Sequence, residues 1–288
     1  MKIVKGPSSK QLAEKIAKFA NVEAVEVVDR LFPDGESYVR IVGNLDGEEA
    51  VIVQGLHPPQ DTNFIRLLLL ADAAKGCGAE RVKAVVPYMA YARQDRRFLH
   101  GEAVSIHAVL KALKTAEVHK IITVNIHSPW VVSESPVMIG NIDASGLLAS
   151  YIIQAGVEKP FVVSPGKKGA EMAEAVASVL EAEHGVLRTS RDPETGEVSV
   201  TADNIPSNRE IVLVDDVIST GNTIIKSLRL LKKFAPRKVI VAAVHGLFID
   251  SAAEKILSAG ADVLFTTDTI PNPYGYASVA GLIASHLV

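Results

Sequence analysis

Two adjacent carboxylates and a hydroxyl-rich turn form the part of the sequence that points most directly to chemistry. Asp215 and Asp216 follow the apolar run 211–214, and the turn after them leads into a helical pattern. The turn consists of Ser219, Thr220, Gly221, Asn222 and Thr223. Because the first amides of a helix have no partner within it, this segment favours an anion. Two carboxylates would repel a lone phosphate, whereas a phosphorylated sugar also brings hydroxyl donors. The alternative is a plain loop in which Thr223 caps the helix.

A second candidate segment, Phe32-Pro-Asp34-Gly-Glu36, lies between two predicted strands. The ring of Phe32 offers a face for stacking on a base, and Asp34 and Glu36 offer acceptors for an exocyclic amine. Asp-Gly is also an ordinary hairpin signal, so a purely structural turn is the competing interpretation.

Two polar segments follow predicted strands further along the chain. The first contains Arg93, Gln94 and Asp95 with two more arginines behind them, and such a cluster could clamp a polyphosphate through forked hydrogen bonds. A solvated basic turn or a salt-bridge patch between subunits is the alternative. The second contains His127, which is either a ligand at a magnesium polyphosphate site or a structural hydrogen-bonding group.

Composition limits the classes of function that these segments can serve. The chain has 30 Lys plus Arg against 33 Asp plus Glu, a formal net charge of −3, which argues against nucleic acid or membrane as a partner. Cys77 is the single cysteine, so no internal disulfide forms and a cytoplasmic protein is expected. A Walker-type phosphate loop is absent from the sequence.

The elements that must position these residues alternate between short β-branched runs and longer helical patterns, which indicates parallel sheets covered by helices. The first helix is predicted over 8–20, with Ser8 and Gln11 in capping-box spacing. The strand before the acid pair is predicted over 211–214 and the helix after it over 223–234. Two similar α/β domains are expected, over 1–142 and 143–288.

The candidate motifs together resemble one family. The segment 211–225 is similar to the phosphoribosyl-diphosphate loop of the type I phosphoribosyltransferase fold. The motifs FPDGE, YARQDRR, NIHS, VVSPG, VLVDDVISTGNT and TDTIPNP, in this order, resemble the ribose-phosphate diphosphokinases. The resemblance implies an α/β fold of two type I phosphoribosyltransferase-like domains with mostly parallel central sheets, and a last helix that packs on the first domain. It further implies Mg²⁺-dependent transfer of the diphosphoryl group of ATP to ribose 5-phosphate, with AMP as the second product.

The resemblance also implies roles for individual residues. Arg191 would stabilise the transferring charge as the catalytic cation, and His127 would serve the metal site. Ribose 5-phosphate would be bound by Asp215, Asp216, Ser219, Thr220, Gly221, Asn222 and Thr223. ATP would be bound by Phe32, Asp34, Glu36, Arg93, Gln94 and Asp95. The adenine contacts would cross a subunit interface, so a homo-oligomer of at least two copies is expected.

The chain departs from the family pattern near the second predicted domain's start. Gly166, Met172 and Thr189 stand where the family carries an aspartate, an arginine and a lysine. Lys167, Lys168 and Arg188 are nearby cations that could replace the lysine. These departures favour an alternative, a catalytically weak paralogue that acts as a nucleotide- and sugar-phosphate-binding regulatory subunit. A phosphoribosyltransferase that consumes the activated sugar is a third interpretation, disfavoured by the second α/β domain.

Overall fold

The computed structural model describes residues 1–191, 198–201 and 205–287. The chain divides into two compact units. The first unit comprises Met1–Asp143, Thr269–Pro271 and Val279–Val288, and the second comprises Ala144–Asp268 and Asn272–Ser278. Among the described residues, no helix is long and apolar enough to cross a bilayer.

The first unit is built on a seven-stranded sheet in the order β3-β2-β1-β4-β5-β6-β7. Its strands are β1 (Lys2–Lys5), β2 (Ala24–Leu31), β3 (Ser37–Val42), β4 (Glu49–Val53), β5 (Arg81–Val86), β6 (Val118–Val124) and β7 (Met138–Ile142). The β2/β3 hairpin is antiparallel, and the other neighbouring pairs are parallel. The central strands are apolar on both faces because helices cover both sides of a parallel sheet.

The helices of the first unit bury one apolar face each. They are α1 (Lys10–Ala20), α2 (Gln60–Gly76), α3 (Ser105–Thr115), α4 (Val131–Glu134) and α9 (Ala280–Ser285). In α1, Leu12 and Ile16 are buried one turn apart, which is the spacing of a core-facing helical stripe. The C-terminal helix α9 packs against α1.

The second unit is built on a six-stranded parallel sheet in the order β15-β14-β13-β12-β8-β9. Its strands are β8 (Phe161–Ser164), β9 (Glu183–Val186), β12 (Glu210–Ile218), β13 (Lys238–Gly246), β14 (Val263–Thr267) and β15 (Gly275–Ala277). A separate antiparallel pair joins β10 (Arg188–Arg191) to β11 (Val198–Thr201). The helices are α5 (Ser145–Gln154), α6 (Ala170–Val179), α7 (Asn222–Leu231) and α8 (Ala252–Ser258).

The two sheets share one topology, which confirms the expected α/β class with mostly parallel strands. The order β2-β1-β4-β5-β6-β7 in the first unit matches β9-β8-β12-β13-β14-β15 in the second. In each sheet, the chain places its second strand (β2 or β9) on one side of the first strand (β1 or β8) and its next strand (β4 or β12) on the other side. A switch point therefore lies between β1 and β4 and another between β8 and β12. Ligands of open α/β sheets bind beyond the carboxyl ends of the strands at such points.

At the switch point of the first unit lies a buried side-chain amide. Gln54 follows β4 and is 0% exposed, with its Oε1 accepting from the Ser8 amide at 3.2 Å and its Nε2 donating to the Asn63 carbonyl at 3.2 Å. A Cβ on Gly6 would lie 2.5 Å from Gln54 Oε1, so the backbone after β1 fits tightly against this amide. The Gln54 side chain therefore lies in direct contact with the backbone after β1.

The predicted capping box of the first helix is wrong. A 3₁₀ turn over Pro7–Ser9 precedes α1, and no side chain caps the helix. The Ser8 hydroxyl instead donates to the Gly55 carbonyl at 2.8 Å, in the connection after β4. This hydrogen bond joins the turn after β1 to the connection after β4.

Replacing Gln54 by alanine is expected to lower the free energy of unfolding of the first unit by about 2 kcal/mol. The change leaves a cavity at the buried Gln54 site and an unpaired, half-buried amide at Ser8. Urea unfolding followed by the fluorescence of Trp130, the single tryptophan and a residue of the first unit, measures it. The exposed Gln11→Ala is the control and should change the free energy by less than about 0.5 kcal/mol. Equal midpoints for the two variants would contradict the role given to Gln54.

Candidate active site

The second unit places the two aspartates at its switch point. Strand β12 pairs with β8 as far as Leu213, opposite Val163, whereas its pairing with β13 continues to Ile218. Asp215 and Asp216 therefore lie where the edge of β12 has left β8, and both are half-buried. The carboxylates stand beside the opening between the two strands.

Local hydrogen bonds shape this acid pair. The Asp216 amide donates to Asp215 Oδ1 at 3.0 Å, and the Val217 amide donates to Asp216 Oδ1 at 2.9 Å. The predicted end of the strand at 214 is wrong, because pairing with β13 extends the strand through both acids. The acids consequently sit on a rigid strand rather than on a loop.

The turn 219–223 provides backbone donors for an anion. Helix α7 begins at Asn222, with Gly221 as N-cap at φ 73° and no side-chain cap. Thr223 lies inside the helix, so the interpretation of Thr223 as an N-cap is wrong, as is the predicted helix start at 223. A Cβ on Gly221 would lie 3.1 Å from Ile256 Cδ1, so glycine suits both the dihedral and the close packing of α8.

A segment that the sequence did not indicate supports this turn. After β13, the Leu247 amide donates to the Ile218 carbonyl at 2.9 Å and the Ile249 amide donates to the Ser219 carbonyl at 3.1 Å. Phe248 and Asp250 have φ of 46° and 54°, which is rare outside glycine. Such backbone strain is common beside functional sites. Without glycine at the strained positions, the sequence carried no turn signal for them.

The turn after β8 forms the other side of the switch point. A 3₁₀ turn covers Lys167–Gly169, and both lysines are exposed. Ser164 Oγ donates to the Gly166 carbonyl at 2.6 Å. A Cβ on Gly169 would lie 2.5 Å from Ser164 Oγ and 3.9 Å from Asp215 Oδ1, so this turn packs directly beside the acid pair.

Arg191, the predicted catalytic cation, is the last residue of β10 and pairs with Val198 of β11. Its side chain lies outside the described part of the chain, as does that of Thr189. Arg188 begins the same strand, and it is exposed and paired with Thr201.

In the first unit, the FPDGE segment forms the tip of the β2/β3 hairpin, as predicted. The Phe32 amide donates to the Glu36 carbonyl at 2.8 Å, and the Glu36 amide donates to Asp34 Oδ1 at 3.2 Å. Phe32 is 40% exposed and meets Tyr38 edge-on at 5.8 Å. The Arg30 guanidinium lies 4.6 Å from the centre of the Tyr38 ring. The tip thus presents an aromatic face with acidic groups at its margin.

Asp95 joins the arginine-rich segment to the segment of His127. Its Oδ2 accepts from Ser128 Oγ and from Trp130 Nε1, both at 2.9 Å, and its Oδ1 accepts from Arg96 Nε at 3.4 Å. The carboxylate is 3% exposed. This burial favours a positioning role for Asp95 over contact with a ligand.

The pKa of Asp95 reflects the balance of these effects. Burial by itself would raise the pKa, but the hydrogen bonds from Trp130, Ser128 and Arg96 outweigh it and hold the pKa well below its usual range. The carboxylate is therefore charged in the folded protein across the physiological range.

The remaining predicted residues of the first unit lie on the same two segments. Arg93 is exposed, whereas Gln94 is half-buried and donates to Glu102 Oε2 at 3.3 Å. His127 is half-buried and follows β6. Tyr91, which donates to Asp61 in the first turn of α2, anchors the segment. Burial and that hydrogen bond raise the pKa of Tyr91 to about 12.

The described side chains contain no group of three or more His, Cys, Asp or Glu that could hold a metal ion alone. Mg²⁺ sites in proteins commonly use one or two carboxylates together with waters and substrate phosphates. Asp215 and Asp216 provide oxygen ligands of the kind that Mg²⁺ prefers.

Comparison with known proteins gives matches along nearly the whole chain. The family profile described as the N-terminal domain of ribose phosphate pyrophosphokinase matches residues 1–116, and that of the phosphoribosyl transferase domain matches residues 138–278. Ribose-phosphate pyrophosphokinase, another name for ribose-phosphate diphosphokinase, from Sulfurisphaera tokodaii is 38% identical over 94% of each chain. The protein of that name from Pyrococcus furiosus is also 38% identical, over 96% of this chain and 97% of its own.

Solved structures agree with these sequence matches. The crystal structure of phosphoribosylpyrophosphate synthetase from Mycobacterium smegmatis aligns with a TM-score of 0.89 and 28% identity, covering 100% of this chain and 97% of that one. The resemblance drawn from the motifs is thereby confirmed, and the chain belongs to the ribose-phosphate pyrophosphokinase family.

Proposed function

We propose that the chain transfers the diphosphoryl group of ATP to the 1-hydroxyl of ribose 5-phosphate, giving phosphoribosyl diphosphate and AMP. Family membership supports this reaction. The observation that carries it is the acid pair beside an uncapped helix start, at the switch point between β8 and β12. Among the comparisons, none favours the regulatory-subunit alternative.

Ribose 5-phosphate binds along the connection between β12 and α7. The 5-phosphate accepts hydrogen bonds from the first amides of α7 and from the hydroxyls of Ser219, Thr220 and Thr223. The ribose hydroxyls donate to Asp215 and Asp216, so the acids hold the sugar while the turn holds its phosphate. Gly221 and Asn222 give the turn its close backbone approach.

ATP binds to the loops of the first unit. The adenine stacks on Phe32, with Asp34 and Glu36 as acceptors for its amine, and Arg93 and Gln94 contact the nucleotide. Asp95 positions this segment against Ser128 and Trp130. A second copy of the chain contributes the hairpin tip, which requires a homo-oligomer.

The reaction needs placement and charge neutralisation more than covalent help. The oxygen of the 1-hydroxyl bonds to the β-phosphorus, the bond from that phosphorus to the bridging oxygen of the α-phosphate breaks, and AMP leaves. The hydroxyl proton passes to solvent. His127 would serve the Mg²⁺ that accompanies ATP, Asp215 and Asp216 would offer oxygen ligands to the ion, and Mg²⁺ would neutralise phosphate charge. Arg191 stays the predicted catalytic cation, and a cytoplasmic location stays a prediction.

Incubating the purified chain with ATP, Mg²⁺ and ribose 5-phosphate is expected to produce AMP and phosphoribosyl diphosphate. Asp215→Asn and Asp216→Asn should each lower kcat/KM for ribose 5-phosphate by roughly 10- to 100-fold, because each removes a charge-assisted hydrogen bond. Glu174→Gln, on the exposed side of α6, makes the same change of charge and should leave the rate unchanged. Absence of AMP above a no-enzyme control would overturn the proposed function.

Asp95→Asn is expected to destabilise the first unit at neutral pH by about 2 kcal/mol. Since the folded pKa of Asp95 is lowered, its contribution is present above the unfolded pKa of roughly 4 and is lost as pH falls below it. The difference between wild type and Asp95→Asn should therefore shrink between about pH 5 and pH 2. Trp130 fluorescence in urea at several pH values measures it, and a difference independent of pH would contradict this account.

A further inference from the structure

The segment 247–251, which follows β13 and leads into α8, supports the turn 219–223 through its backbone. Three consecutive amides, those of residues 247–249, donate to the carbonyls of Ile218 and Ser219 at 2.9, 3.3 and 3.1 Å. These carbonyls belong to the end of β12 and to the start of the turn. The position of the turn therefore depends on the conformation of the segment beside it.

The backbone of this segment is strained. Phe248, Asp250 and Ser251 have φ of 46°, 54° and 57°, so three of its five residues occupy the left-handed region without being glycine. A side chain makes this region unfavourable, because its Cβ comes too close to the backbone carbonyl oxygen. Contacts with the rest of the second unit must therefore hold the segment in this conformation.

An aromatic pair provides such a contact. The ring centres of Phe248 and Tyr274 lie 5.4 Å apart with the ring planes at 63°, the edge-to-face arrangement that aromatic side chains prefer. Both side chains are half-buried and pack against the core of the second unit. The Phe248 ring also folds back over the last residue of β13, since a Cβ on Gly246 would lie 2.5 Å from its Cε2. The ring thus contacts both the end of β13 and Tyr274.

Tyr274 itself is fixed on the sheet. Its carbonyl accepts from the Thr266 amide of β14 at 2.8 Å, and its amide donates to Asn272 Oδ1 at 2.8 Å. Asn272 Nδ2 donates to Thr266 Oγ1 at 3.2 Å and to the Gly246 carbonyl at 3.4 Å. Asn272 belongs to the TDTIPNP motif, to which the proposed reaction gives no role. This side-chain amide ties the loop that carries Tyr274 to β13 and β14.

We propose that Phe248 and Tyr274 are positioning residues for ribose 5-phosphate, because their ring contact holds the segment 247–251 in the form that shapes the turn 219–223. This inference rests on the proposed function for the identity of the ligand. The rings contact no substrate and act through the three backbone hydrogen bonds to the turn and the strand before it. A preformed turn offers its donor amides without first having to be ordered, so the rings raise the affinity for the sugar phosphate.

The test compares Tyr274→Ala with two matched variants. Tyr274→Phe keeps the ring and removes only the hydroxyl, whereas Tyr276→Ala removes a ring that is 61% exposed two residues further on. Calorimetry measures the affinity of each variant for ribose 5-phosphate and, separately, for ATP with Mg²⁺. Steady-state kinetics give KM and kcat, and hydrogen exchange reports on the amides of residues 247–249. Circular dichroism verifies folding.

Tyr274→Ala is expected to bind ribose 5-phosphate roughly 5- to 20-fold more weakly than wild type, with its affinity for ATP within twofold. Its KM for ribose 5-phosphate should rise by the same factor while kcat stays within about threefold, because the rings touch no reacting group. The amides of residues 247–249 should exchange at least 10-fold faster, since the segment opens more readily. Tyr274→Phe and Tyr276→Ala should match wild type in every measurement.

Wild-type affinity of Tyr274→Ala for ribose 5-phosphate would overturn the proposal, as would an equal loss of affinity for ATP. Unchanged exchange of the three amides, or an equal loss in Tyr274→Phe, would also contradict it, because the ring contact is then not the cause. If Tyr274→Ala does not fold, Phe248→Leu removes the other ring and keeps an apolar side chain in its place. The same changes are expected for that variant.

The inference and the proposed function fail in different ways. If wild type forms AMP and Tyr274→Ala binds ribose 5-phosphate as wild type does, the reaction stands and the role of the rings falls. If wild type binds ribose 5-phosphate in a ring-dependent way but forms no AMP, the role of the rings stands and the proposed reaction falls. If wild type does not bind ribose 5-phosphate, both fall.

Discussion

Repulsion between like charges is the constraint on which the second unit depends. Asp215 and Asp216 lie four and three residues before Ser219, the start of the turn that offers backbone donors to an anion. The structure places the acids and the backbone donors on different elements. The acids lie on β12, which pairs with β13, and the donor amides lie at the start of α7. Gly221 lets the chain pass from one to the other within a single turn. In the proposed function, the phosphate and the hydroxyls of one sugar phosphate would then bind at different elements, so the phosphate would not face the carboxylates directly.

In the first unit, buried polar contacts hold two of the candidate segments together. Asp95 accepts hydrogen bonds from Ser128, Trp130 and Arg96, so one carboxylate joins the arginine-rich segment to the segment that carries His127. Two exposed loops become one ordered surface as a result. For the proposed ATP site, order of this kind would reduce the entropy lost when the nucleotide binds.

Local patterns predicted most of the fold, and tertiary contacts decided the parts that they missed. The β-branched runs marked the strands because both faces of a parallel sheet are buried. The end of β12 was missed because pairing with β13, not composition, carries the strand through Asp215 and Asp216. The predicted capping box does not form, because the Ser8 hydroxyl donates to the Gly55 carbonyl instead. At the site, the sequence correctly placed the turn that begins at Ser219 between a strand and a helix. It could not show the support from Leu247 and Ile249, which act through backbone groups.

Equal strand order does not give equal surroundings at the two switch points. Beside that of the first unit lies the buried side-chain amide of Gln54, whereas beside that of the second unit lie two half-buried carboxylates, Asp215 and Asp216. The proposed site for a phosphorylated sugar therefore depends on side chains that only one of the two duplicated halves carries at this position.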